Sequence, residues 1–186
     1  LIRSFEESSG MILEPYFNQW LNNKVEAKVE VKYSKVDSQN LLIFERKNEI
    51  WEDSTKTFEL KIPVVLHLKK QAPRTLIFNL DQQVDTLAIS NELIAFEIDP
   101  KIECLADIKV YKNEELWKNQ LANSSSSYSR LRAVKSLEKL DEKSKVKLYS
   151  KFDIDKEKHM VLFETFNQID TLKSKKAKKL RNKIME

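Results

Sequence analysis

The sequence predicts an α+β chain of more than one domain: a short helical segment, a small antiparallel β-sandwich, and an α-helical domain built of helix pairs. Three observations carry this. Apolar residues alternate with polar ones through much of residues 24–98, the pattern of strands with one buried face. On either side, over residues 1–22 and 113–186, they recur at spacings of three and four, as on one face of a helix. The alternating run of Ile94, Phe96 and Ile98 ends at Asp99-Pro100, and helical spacing takes over soon after. Three domains are therefore expected, over residues 1–22, 23–110 and 111–186.

The opening helix rests on Ile2, Phe5, Ile12, Leu13, Tyr16, Phe17, Trp20 and Leu21. Ser8-Ser9-Gly10 should break it, since glycine takes a positive φ at low steric cost, and Pro15 suits the first turn of a second piece over residues 12–21. Val25, Ala27, Val29, Val31 and Tyr33 then form a strand, and Phe58, Leu60, Ile62, Val64, Leu66 and Leu68 another. On the latter, Glu59, Lys61 and His67 should face out. Shorter strands fit residues 41–46, 76–80, 84–89 and 93–98, separated by turn-like stretches at 37–40, 52–55, 71–74 and 90–91. Strands so short and so closely spaced argue for a sandwich.

In the helical part, Asn113 suits the N-cap of a helix over residues 114–122, with Glu114 and Glu115 placed favourably against its dipole. Ser124 to Ser127 are expected to be a polar linker. Tyr128, Leu131, Val134, Leu137 and Leu140 share a face of the next helix, and Asp141 or Ser144 should open another. A helix carrying Met160, Phe163, Phe166, Asn167 and Ile169 is expected after Asp153 or Asp155, and a last one docks Leu172, Ala177, Leu180 and Ile184.

Composition narrows the chemistry. A chain of 186 residues with 41% apolar content can build a real core. One glycine excludes glycine-rich phosphate cradles. One cysteine, Cys104, excludes an internal disulfide and paired-cysteine zinc sites, and is expected as a small buried hydrophobe at a strand end. The two histidines, His67 and His159, lie far apart and neither belongs to an HExxH spacing; both are expected to be solvated. The serines sit in no GxSxG setting, and Glu6-Glu7 and Glu114-Glu115 are adjacent pairs that diverge by about 100° on a helix. No catalytic, metal-ligating or cofactor-binding residue is assigned. Residues 173–186 carry six lysines and one arginine against one glutamate, but no aromatic interleaves them, so a solvated helix face is expected and nucleic acid is not expected as a partner. No apolar run is long enough for a membrane span, and the opening residues lack the basic start and apolar core of a signal peptide.

Several short motifs occur in an order that resembles the C-terminal region of zinc aminopeptidases of the aminopeptidase N type. Phe5-Glu-Glu-Ser-Ser-Gly10 followed by Leu13, Phe17 and Gln19-Trp20-Leu21 resembles the end of that family's catalytic domain. Phe58-Glu-Leu-Lys-Ile-Pro-Val64 resembles its sandwich strand, and Phe96-Glu-Ile-Asp-Pro100 the strand ending in D-P. Gln120-Leu121 with Arg130 and Ala133 resembles the first pair of its HEAT-like helices. The likeness covers residues 4–140; the stretch after Trp20 departs from the family in lacking a glycine turn.

What the resemblance implies is a non-catalytic segment. The zinc ligands and the glutamate base precede this region in the family, so zinc belongs to a missing catalytic domain, and the helical region would support that domain and gate peptide access to it. Residues 1–22 would then be the helical end of the catalytic domain, with its remainder packing near Tyr16, Phe17 and Trp20, and a peptide substrate would be met only by the full-length protein. Two other readings stand beside this one: a peptidase-dead scaffold of the same fold, and a free-standing adaptor whose basic C-terminal helix is its binding element.

Overall fold

A computed structural model describes residues 2–21, 27–47 and 60–185. The strand positions Val25, Phe58 and Glu59, the turn at 52–55 and the departure after Leu21 lie outside the described residues. Helices α1 (Ile2–Ser9) and α2 (Glu14–Leu21) precede strands β1 (Ala27–Val36), β2 (Gln39–Arg46), β3 (Leu60–Leu68), β4 (Arg74–Leu80), β5 (Val84–Ile89), β6 (Leu93–Ile98) and β7 (Ala106–Tyr111). Five helices follow: α3 (Glu114–Asn123), α4 (Ser127–Ser136), α5 (Glu142–Tyr149), α6 (His159–Asp170) and α7 (Lys175–Met185). This is the expected order of helical segment, sandwich and helical region.

The break between α1 and α2 falls at Gly10, whose φ of +67° a side chain would disfavour. Glu6 reaches across it, its carboxylate accepting from the N–H groups of Leu13 at 2.7 Å and Glu14 at 3.0 Å, where α2 begins.

Two sheets form the sandwich, one ordered β5-β2-β1-β7 and the other β4-β3-β6. Val29, Val31, Leu42, Phe44, Ile62, Val64, Leu80 and Phe96 fill the space between them. The Phe44 and Phe78 rings stack across it at 4.1 Å. The sheets are not purely antiparallel as expected. β7 pairs with β1 in parallel, from Ala27 opposite Ala106 to Lys32 opposite Tyr111. Ala106, Ile108 and Val110 do alternate, so β7 carried a strand signal that the strand assignment above omits.

β3 corrects a second expectation. Leu60, Ile62, Val64 and Leu66 are buried on one face and Lys61 is exposed, as alternation requires, but Pro63 and His67 on the other face are buried too. His67 is therefore not solvated. The outer side of this sheet is covered where α3 packs on β6.

A second core holds the helices together, with Trp117, Leu121, Ala133, Val134, Tyr149, Val161, Ile169 and Leu180 buried in it. Val110 of β7 packs against both cores. Asn113, Ser126 and Asp141 cap α3, α4 and α5 by accepting from the backbone N–H groups of Leu116, Ser129 and Ser144. α6 starts at His159, after a turn at Asp153, as expected. It departs from expectation in its buried face. Its buried face is Val161, Leu162, Thr165, Gln168 and Ile169, whereas Met160 and Phe163 are exposed. These buried positions step by one, four, seven and eight, a fuller helical stripe than the one drawn through the aromatics.

Candidate functional site

β6 lies at the edge of its sheet, so the carbonyls on its outer side have no strand to accept from. The helical region supplies the missing donors. Asn119 donates to the Ile94 carbonyl at 3.0 Å, Lys112 to Phe96 at 2.6 Å, Arg132 to Ile98 at 3.0 Å, and the Ser126 hydroxyl to Pro100 at 2.6 Å. Three side chains from α3, α4 and the segment before α3 thus stand where a neighbouring strand would, and Ser126 holds the turn just beyond it.

Beside this row lies a buried polar cluster. Glu97 of β6 is 3% exposed, and His67 Nε2 donates to its Oε1 at 2.6 Å. Its Oε2 accepts the Ser124 hydroxyl, also at 2.6 Å. The serine segment does link α3 to α4, but Ser124 within it and Ser129 beyond it are buried at the seam between strands and helices, while Ser125 is exposed. Gln120 continues the network, donating to the Ser129 carbonyl at 2.6 Å and accepting from Lys112. The Lys112 ammonium is enclosed although the residue as a whole is half-buried, sitting 3.9 Å from the Phe96 ring centroid and 4.1 Å from that of Trp117.

Burial and neighbouring groups act on Glu97 and Lys112 in opposite senses. Burial raises the Glu97 carboxyl, but the hydrogen bonds from His67, Ser124 and Ser129 outweigh it and hold the group below the usual carboxylate range. Burial pushes Lys112 well below the usual lysine range; Glu97 pulls it back and Arg132 pushes it further down. The serine hydroxyl and the imidazole meet opposite oxygens of one carboxylate, so no histidine lies where it could take the serine proton in this arrangement. That order differs from a nucleophile triad, in which the histidine stands between hydroxyl and carboxylate. The cluster ties β3 and β6 to the segment that joins α3 and α4.

The remaining sequence candidates stay apart from it. His159 is exposed at the first position of α6. Cys104 is half-buried in the loop before β7, not at a strand end; its thiol donates to the Lys61 carbonyl at 3.3 Å, and burial pushes its pKa up to about 12. Among the described residues no group of three or more histidine, cysteine, aspartate or glutamate side chains could hold a metal ion, so these residues do not fit a zinc centre. Among the described residues, no helix is long and apolar enough to cross a membrane.

α1 and α2 contain no buried residue. Phe5, Met11, Ile12, Tyr16 and Leu21 are more than half exposed, while Trp20 packs partly against the sandwich core. Tyr16 lies between Phe17 and Trp20, with ring centroids 5.9 and 6.4 Å away.

No protein-family model and no curated protein matches the chain. Among solved structures it is similar to the crystal structure of Legionella pneumophila aminopeptidase A in complex with aspartic acid. That likeness covers 100% of this chain and 21% of the aminopeptidase chain, with a TM-score of 0.53 and 13% sequence identity. The chain thus spans about a fifth of that protein's length and shares with it a distant relationship of fold.

Proposed function

We propose that this chain is a non-catalytic part of a larger zinc aminopeptidase, supporting the catalytic domain and gating the access of peptides to its active site. The observation that carries the proposal is the fold likeness to an aminopeptidase along the whole of this chain. The exposed aromatic surface of α1 and α2 supports it. On this reading residues 1–22 belong to the catalytic domain, whose remainder packs near Tyr16, Phe17 and Trp20, residues 23–110 are the sandwich, and residues 111–186 the gating helices. Zinc and peptide would be bound by the full-length protein, and the polar seam would hold the helices at a fixed angle to the sandwich.

The coding sequence directly upstream of Leu1 tests this. An HExxH with a glutamate further along is expected. A degenerate version would turn the proposal into a peptidase-dead scaffold of the same fold, and a start codon adjoining Leu1 would overturn it in favour of a free-standing adaptor. Where HExxH is present, the full-length protein should release amino-terminal residues from short peptides. Disrupting the seam by Glu97→Gln should then alter the preference for peptide length more than the turnover of a single-residue amide.

A further inference from the structure

A groove of about 1160 Å³ is lined by residues of α5, α7 and the segments that flank them. Its floor is Val146 of α5 and Leu180 of α7, each less than a tenth exposed. Lys143, Lys147, Lys176, Lys179 and Lys183 line its walls. Their methylene stems extend the apolar surface while their ammonium groups stand at the rim. Among the described residues none of these five lysines enters an ion pair. The two acids at one end are engaged locally: Asp141 accepts from Ser144 N–H at 3.0 Å and Glu142 from Ser174 N–H at 2.9 Å. The groove is thus apolar below, and its lining carries five lysines against the two carboxylates of Asp141 and Glu142, with Lys183 also acting on Asp153, which leaves an excess of positive charge.

We propose that this groove is a docking site for an acidic amphipathic helix of a partner protein. A channel between two helices, with a recessed apolar floor, suits a third helix laid along it with apolar residues at spacings of three and four. Acidic residues flanking that stripe would meet the lysine rows, and this charge complementarity is what selects the occupant. A flat membrane would need apolar side chains that protrude, and here the floor residues are recessed. Nucleic acid is matched less well, because no aromatic lines the groove and the nearest arginine, Arg181, already lies 3.5 Å from Asp170. The inference is independent of the peptidase reading.

The test uses the full chain and a panel of fluorescein-labelled 16-residue peptides. Each carries leucines at helical spacing flanked by glutamates, with scrambled peptides of the same composition as controls. Saturable binding by at least one member is expected, at least tenfold tighter than its scrambled form and weakened by raising the salt concentration. Lys147→Glu with Lys179→Glu, two lysines on the groove walls, should weaken it at least tenfold while leaving the circular-dichroism spectrum and the melting temperature unchanged. Swapping the peptide's glutamates for lysines should restore binding to that double variant, a rescue that general unfolding could not give. Absence of saturable binding across the panel, equal binding of scrambled forms, or binding indifferent to the charge reversal would overturn the proposal. So would stronger binding to phosphatidylserine vesicles or to a DNA duplex than to every peptide.

Discussion

At the scale of single residues, Glu97 is the group on which the seam depends. Its carboxyl lies below the ordinary value of 4.5, so its stabilising contribution is fully present above about pH 4.5 and disappears as the pH falls through the depressed folded value. Glu97→Gln takes the carboxylate acceptor away from His67 and Ser124 and is expected to cost about 1.5 to 3 kcal/mol, in the range for a hydrogen bond to a charged group. In urea titrations between pH 3 and 6, the wild-type chain should lose stability towards the acid end, and the variant should show a shallower dependence. Identical pH profiles would remove Glu97 from this role. Ile62 and Lys61 provide the contrast of an inward and an outward neighbour: Ile62→Ala should cost about 2 to 5 kcal/mol and Lys61→Ala within about 0.5. Similar losses in both would contradict the register of β3. This alternation was legible in the sequence, whereas the burial of His67 was not. Period two tells which face a side chain takes, and it says nothing about whether a helix from residues 114–136 will later cover that face. Glu97 and Ser124 carried the only hint, as polar residues on the strand and in the loop that turn out to meet.

Elements show the same division between what local pattern determines and what packing decides. The strands, the Gly10 break and the Asn113 and Asp141 caps follow from alternation, backbone freedom and hydrogen-bond chemistry, each local to a few residues. The parallel pairing of β7 with β1 joins segments about eighty residues apart, and no local signal specifies it. The face of α6 lies between these cases, since two apolar stripes compete on one helix. The one that wins is tied down by Gln168, which accepts from the Tyr149 hydroxyl at 2.7 Å and donates to the Val134 carbonyl at 2.8 Å. An amide placed there can satisfy two buried groups, so a polar residue identifies the inward face better than the large exposed Phe163 does. Leu162→Ala is expected to destabilise by about 2 to 5 kcal/mol, and Phe163→Ser to change stability by no more than about 0.5. Chemical denaturation of the two variants checks the assignment, and the opposite ranking would restore the aromatic stripe as the buried one.

For the whole molecule, the two ends are finished differently. The helical region closes over its own core and lends three side chains to the β6 edge and a fourth to Pro100 just beyond it, so its attachment to the sandwich is both apolar and polar. The α1–α2 hairpin has no such closure: only Trp20 among its aromatics reaches the sandwich core, and Phe5, Met11, Ile12, Tyr16 and Leu21 remain open to solvent. Contiguous apolar surface beyond a few hundred Å² is uncommon on monomers, which is why this end is where a partner is expected. An isolated chain should therefore bind a hydrophobic dye or self-associate as its concentration rises. Tyr16→Ser combined with Leu21→Ser should abolish both effects while leaving the unfolding free energy within about 1 kcal/mol, because neither side chain is buried. Light scattering and dye fluorescence on the two chains give the answer. A monomeric, dye-silent wild type, or a double variant that unfolds several kcal/mol more readily, would mean that the hairpin packs on the sandwich as part of its own core and that no partner surface exists there.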